Sequence, residues 1–184
     1  MENPLHITSE IGKLRTVMVH RPGAELENLT PEYLKDLLFD DIPYLQVAQK
    51  EHDAFTNTLR SRGIEVLYLD QLAAESLSDH QVCIDFVNEM LAASKQGDSR
   101  VTNALADYLL GMQPIDMVRK IMSGVRKNEI ILAEEHKNQL HDMVEHDHYP
   151  FYLDPMPNLY FTRDFAATQC PDRRELRPLS PCGN

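Results

Sequence analysis

The order of secondary-structure signals between Leu14 and Leu69 restricts the fold class more than any other feature of this sequence. Leu14-Arg15-Thr16-Val17-Met18-Val19-His20 is a β-rich run, entered by the turn Ser9-Glu10-Ile11-Gly12-Lys13 and closed by Arg21-Pro22-Gly23, and it reads as a strand. Thr30-Pro31-Glu32 has the form of a helix start: a hydroxyl cap, proline at the first helical position, and an acid beside the positive end of the dipole. That helix is expected to run to about Leu38, and Phe39-Asp40-Asp41-Ile42 links it to a longer helix opening at Pro43. Leu45, Ala48, His52, Phe55 and Leu59 share one stripe of the longer helix, and Gly63 is placed to stop it. Ile64-Glu65-Val66-Leu67-Tyr68-Leu69 is a second strand. Strand, helices, strand is an α/β unit.

From Leu72 to Tyr149 no strand pattern stands out and helical spacing dominates. Ser78 is placed to cap a helix carrying Val82, Cys83, Phe86, Val87, Met90 and Leu91, which ends near Gly97. Ser99 is placed to cap the next, with Val101, Leu105, Tyr108 and Leu109 inward. Pro114 begins a third, with Ile115, Val118, Ile121 and Met122, stopping around Gly124, and a shorter fourth is expected near Glu134 to Val144. The reading is a helical block inserted between strands of an α/β domain, with little functional content of its own.

The next stretch concentrates the chemistry: Leu153-Asp154-Pro155-Met156-Pro157-Asn158-Leu159-Tyr160-Phe161-Thr162-Arg163-Asp164. Two prolines bracket Met156 and argue against a continuous helix. An amide, two aromatics, a hydroxyl, a guanidinium and a carboxylate then follow, a run suited to an exposed strand end. Asn158, Phe161 and Asp164 are spaced by three. An extended chain alternates faces, so Phe161 opposes the other two unless a turn or bulge re-aims it. On composition alone, a proline-rich loop with an Arg163/Asp164 surface pair is an equal reading.

Charge and composition exclude some functions. The 18 basic and 29 acidic side chains give a net charge of −11, which argues against general affinity for nucleic acid or anionic membrane. There is no apolar run of membrane-spanning length, and Met1-Glu2-Asn3-Pro4-Leu5-His6 lacks the pattern of a signal peptide. Cys83, Cys170 and Cys182 are odd in number and scattered, a poor disulfide framework. The expectation is a cytoplasmic protein.

The stretch from Asp154 to Asp164 resembles the arginine deiminase signature. Ser9-Glu10-Ile11-Gly12-Lys13-Leu14, Val19-His20-Arg21-Pro22-Gly23, Leu37-Leu38-Phe39-Asp40-Asp41-Ile42 and Lys50-Glu51-His52 also look like landmarks of that family, so the resemblance covers Ser9 to Asp164. It implies an α/β fold: part of a five-bladed α/β propeller, the first blade and the start of the next, with a helical insertion domain. The divisions it suggests are residues 1–71 for the first blade, 72–149 for the insertion, 150–168 for the return with the active-site strand, and 169–184 for a tail foreign to the family. The implied reaction hydrolyses L-arginine to L-citrulline and ammonia without cofactor or metal. The implied partner is the small-molecule substrate, with no nucleic acid or membrane, and with homo-oligomerisation left open.

The resemblance also implies roles for residues. Asp164 accepts hydrogen bonds from the substrate guanidinium, Asn158 helps hold the α-carboxylate, Phe161 packs on the substrate, and Leu38 closes over the pocket. A planar cation with several N–H donors suits a carboxylate held face to fork. The family's cysteine nucleophile attacks the guanidinium carbon and a His protonates the departing ammonia. Neither Cys170 nor Cys182 stands in that nucleophile's context, so the 184-residue chain is expected to be an inactive N-terminal part. The alternatives are another guanidine-modifying hydrolase of the dimethylarginine type, which the helical insertion counts against, and a non-enzymatic binding fragment.

His141, His146 and His148 with Asp142, Glu145 and Asp147 resemble a metal cluster, but His-x₄-His-x-His fits no zinc pattern, and solvated side chains are expected. Asp40-Asp41 reads as a cap or loop charge. After Ala167-Thr168 the family pattern is lost. One permitted coding of Asp172 to Leu179, read one base later, begins Thr-Gly-Val-Ser-Ser-Asp-His, near the family's continuation, so a frameshifted or mis-spliced end is the expectation.

Overall fold

The computed structural model describes residues 11–29, 31, 34, 41–94, 99–130 and 149–162. Strand β1 (Thr16–Val19) is followed by a one-turn helix α1 (Ala24–Glu27), the long helix α2 (Leu45–Ser61) and strand β2 (Glu65–Tyr68). β1 and β2 pair in parallel, Thr16 opposite Glu65 through Val19 opposite Tyr68, so α2 forms part of the crossover that parallel strands require. Gly63 ends α2 at φ +74°. Its N–H donates to Arg60 O and the Ile64 N–H reaches Leu59 O, the paired bonds that close a helix on a left-handed glycine.

Helix α3 (Leu69–Ser76) starts directly from β2, and α4 (His80–Ala93), α5 (Ser99–Leu110) and α6 (Pro114–Ser123) follow. A short strand β3 (Val125–Arg126), a 3₁₀ turn at Lys127–Glu129, strand β4 (Phe151–Leu153) and a second 3₁₀ turn at Pro157–Tyr160 complete the described chain. β3 and β4 are antiparallel. The result is a helix-rich α/β arrangement with two small sheets, neither of them closed.

The apolar core lies in the helical block. Val87 and Leu91 of α4, Val101, Leu105 and Leu109 of α5, and Met117, Val118, Ile121 and Met122 of α6 bury one face each, joined by Leu77, Val125 and Leu153. Burying one such side chain stabilises by about 1.5–3 kcal/mol, so this block contributes most of the hydrophobic driving force. The α/β unit has a different interior: Val19, Leu26 and Leu29 are buried, but so are His20, Glu25, His52 and Thr56.

Several expectations need correction. A strand does occur within 72–149, but β3 has two residues, too few for a period-2 pattern to show. The second strand stops at Tyr68, because Leu69 already belongs to α3. The cap of α4 is Asp79, whose carboxylate accepts from the Gln81 and Val82 N–H groups, while Ser78 Oγ turns back to Glu75 O. Val82, in the first turn beside that cap, is accordingly exposed. On α2 the buried stripe runs through His52 and Thr56, and Phe55 is 55% exposed. α1 was not anticipated. Apart from Pro31 and Leu34, the helix expected from Thr30 to Leu38 lies outside the described residues, as do the one near Glu134 to Val144, the tail from Phe165, and His141, His146 and His148.

Candidate active-site segment

The signature stretch is a turn rather than a strand end. β4 finishes at Leu153, one step before the prolines, and Pro157 opens the 3₁₀ turn that carries Asn158, Leu159 and Tyr160. Proline suits that first position because its missing N–H is not needed there. Phe161 follows as the cap, its N–H donating to Asn158 O at 3.0 Å. The turn bends the chain between Asn158 and Phe161, which an extended run would not do. Asn158 is half-buried, and Phe161 is half-exposed with Tyr160 edge-on at 5.5 Å. Asp164 and Leu38 lie outside the described residues.

Both ends of the turn are fastened. At its base the Met156 N–H donates to Met122 O at 2.9 Å, and Pro155 and Pro157 are buried. Gly124, at φ +82°, lets the backbone of Leu153 and Pro155 approach so closely that an added Cβ would lie 2.8 Å from Leu153 O and Pro155 N. Tyr149 also hydrogen-bonds Asp154 through its hydroxyl. At the other end, Thr162 Oγ1 donates to Met18 O of β1 at 3.1 Å. Residues far apart in sequence thus meet at the end of β1.

A groove of about 400 Å³ opens there, lined by Val19, His20, Glu51, His52, Phe55, Tyr160 and Thr162. Beneath it His20 Nε2 donates to Glu25 Oε1 at 2.9 Å, and the Gly23 N–H donates to the same oxygen at 2.6 Å. The backbone bend at Arg21-Pro22-Gly23 and the short α1 bring Glu25 to His20. His52 reaches the same place from α2, with its ring 6.2 Å from that of Tyr68. Burial pushes the His52 imidazole below its ordinary value; Asp53 opposes the shift, while Arg21, His20 and Arg60 reinforce it. Among the described residues, the Nδ1 atoms of His20 and His52 have no hydrogen-bond partner.

At the rim Arg21 Nε and Nη2 grip the two oxygens of Asp53 at 2.8 and 2.9 Å. That fork raises the Arg21 pKa and lowers that of Asp53. The pair is surface-exposed, so water and salt screen it and it adds little to stability.

Behind the signature turn, Glu129 is held by Lys120, by Tyr108 and by the Arg126 N–H. Burial pushes its carboxyl upward, yet those bonds together hold it below the ordinary value. Asp41 Oδ1 accepts from the Ile42 N–H, the local loop contact expected of it, and Asp40 lies outside the described residues. Cys83 packs against Met117, with their sulfurs 3.8 Å apart, and Cys170 and Cys182 lie outside. Among the described residues no group of three His, Cys, Asp or Glu side chains could hold a metal, and no helix is long and apolar enough to cross a membrane.

Sequence reasoning placed His20 in a landmark and His52 on a helical stripe, but did not bring them together or find Glu25. The available signal was weak: a His and a Glu five apart around Pro-Gly.

The sequence profile of the arginine deiminase family matches residues 35–170. The arginine deiminase of Bacillus cytotoxicus is 59% identical over 169 residues, covering 91% of this chain and 40% of that protein. Those of Bacillus cereus and Limosilactobacillus fermentum are 55% and 54% identical over 168 residues, with the same coverage. The chain thus spans 40% of the length of these curated relatives. On the extent of the profile match, the chain belongs to the arginine deiminase family.

Proposed function

We propose that this chain carries the guanidinium-binding segment of an arginine deiminase, which hydrolyses L-arginine to L-citrulline and ammonia. The observation that carries the reading is the unbroken signature from Asp154 to Asp164, lying inside the family match. Asp164 is the counter-charge for the substrate guanidinium, Asn158 binds the α-carboxylate, Phe161 packs on the substrate, and Leu38 closes over it. The 3₁₀ turn supports the pairing of Asn158 with Phe161, since it bends the chain so that the Phe161 N–H meets the Asn158 carbonyl. The attacking thiolate is assigned to no residue of this chain. The same reading takes the α/β unit of residues 1–71 as the first blade of a propeller and residues 72–149 as a helical insertion. Residues 150–168 bring the chain back to the pocket of a cytoplasmic enzyme.

A guanidinium stays cationic at neutral pH, so a desolvated carboxylate is its natural partner. Removing one member of a buried charge pair costs about 3–5 kcal/mol, or roughly two to four powers of ten in kcat/KM. The test is a chimera in which residues 9–164 of this chain replace the matching segment of the Bacillus cytotoxicus arginine deiminase. Citrulline formation is then measured with Asp164 intact, with Asp164→Ala and with Asp164→Asn. Both variants are expected to lose activity on that scale. A surface pair with Arg163 predicts a change below about 1 kcal/mol instead, and kcat/KM within threefold of the parent would remove Asp164 from the site.

A further inference from the structure

Asn28 stands where the chain leaving α1 meets the end of the helical block. Its amide donates to Ser123 O at 2.6 Å, and its Oδ1 accepts from Arg126 Nη2 at 2.8 Å and Nε at 3.1 Å. These partners lie 95 and 98 residues along the chain. A side-chain amide suits the place because it offers donor and acceptor together, and a guanidinium can present two N–H groups to one oxygen. The Arg126 guanidinium also lies over the Phe151 ring, 5.1 Å from its centroid. Phe151 is the residue opposite Arg126 in the β3–β4 ladder, and two residues later, at Leu153, the chain leaves β4 for the signature turn.

A mechanical chain therefore runs from Asn28 through Arg126 and Phe151 to the base of the turn. Its other arm runs through Ser123 to Gly124, against which Leu153 and Pro155 are packed. We propose that Asn28 and Arg126 are positioning residues, a clasp that sets the direction in which β4 delivers Asn158 and Phe161 to the substrate. Neither touches the substrate; both act through Phe151 and the backbone of Leu153 to Met156. The inference rests on the reading of Asn158 and Phe161 given under the proposed function. One planar guanidinium makes both contacts at once, lying over the Phe151 ring while its edge presents two N–H groups to Asn28 Oδ1, and the compact ammonium of a lysine at position 126 cannot span the two together.

The test is amide hydrogen exchange by NMR on the full 184-residue chain, comparing Asn28→Ala, Asn28→Asp and Arg126→Lys with the parent. The Met156, Leu159 and Phe161 amides, each bonded to a backbone carbonyl, report on the turn. Exchange there is expected to quicken roughly tenfold or more in Asn28→Ala and Arg126→Lys, with the amide shifts of Asn158 and Phe161 displaced. Amides within α4 and α5 should stay within about twofold. Asn28→Asp keeps an acceptor facing Arg126 and should fall nearer the parent than Asn28→Ala. Equal acceleration in α4, α5 and the turn would reduce the clasp to general stability, and no acceleration at the turn would remove it. The experiment contains no arginine, so its failure leaves the Asp164 assignment standing. A failed Asp164 test instead leaves the clasp in place and removes the substrate it serves.

Discussion

The close approach at Gly124 can be measured, because Gly63 supplies its control. Both glycines have positive φ, +82° and +74°. A Cβ on Gly63 meets nothing within 4 Å, whereas one on Gly124 lies 2.8 Å from Leu153 O and Pro155 N and 3.1 Å from Pro155 Cα. Those are backbone atoms, so no rotamer change relieves the overlap. Holding alanine at such a φ costs about 1–3 kcal/mol, while the stiffer unfolded chain returns about 0.4–1 kcal/mol. Gly63→Ala should therefore cost about 0–2.5 kcal/mol.

Gly124→Ala adds the steric overlap, worth about 1–3 kcal/mol by analogy with overpacked cores, and its ψ of 158° puts it in a backbone region open essentially to glycine alone, so the difference from Gly63→Ala is at least that large. For a chain of this length that difference is roughly 2–12 °C in Tm. Thermal and urea unfolding of the two single variants, followed by circular dichroism, gives it directly. The signature turn should loosen only in Gly124→Ala, since that variant alone pushes Pro155 away. Equal destabilisation by the two substitutions would mean that the turn is not packed against Gly124, and the clamp at its base would fall.

Asp79→Ala should destabilise the chain by about 0.5–2 kcal/mol in urea unfolding, because it strips two N–H groups of α4 of their acceptor, whereas Ser78→Ala should be milder. The His52 imidazole is held below its ordinary 6.5 in the folded chain, so below about pH 6.5 the unfolded chain binds the extra proton first. Stability is therefore complete above that pH and declines as pH falls from 6.5 through the folded value; His52→Phe should flatten the Tm–pH curve between pH 6.5 and 5, and an unchanged slope would exonerate His52.

What the sequence disclosed and withheld follows from the length of each signal. α5 and α6 were legible because their apolar residues repeat over three turns, and Gly124 stops α6 as expected. Gly63 was equally legible, since few residues accept the left-handed turn that closes α2. β3, with two residues, holds no periodicity, and only its pairing with β4 makes it a strand. The signature turn was misread because a polar, aromatic run after proline fits a strand end as well as a 3₁₀ turn. The spacing of Asn158 and Phe161 left a re-aiming bend open without requiring one. The buried set of His20, Glu25 and His52 was hidden for another reason: His20 and Glu25 meet through the local bend at Arg21-Pro22-Gly23, but His52 joins them only when α2 packs back beside β1 in the crossover, a tertiary event that local patterns do not record.

The placement of the core bears on how the signature turn keeps its shape. Among the described residues, the interior of the α/β unit mixes Val19, Leu26 and Leu29 with two histidines, a glutamate and a threonine. The helical block instead buries a continuous set of leucine, valine, isoleucine and methionine side chains. The signature turn is tied to the α/β unit by the bond from Thr162 to Met18, but its base rests on Met122, Gly124 and β3, at the end of the block. The proposed role of Asn158 and Phe161 in holding substrate requires placement to within about 0.5 Å, which favours the apolar, close-packed foundation. The block, expected from sequence to carry little function, is thus the part of the chain against which Asn158 and Phe161 are braced.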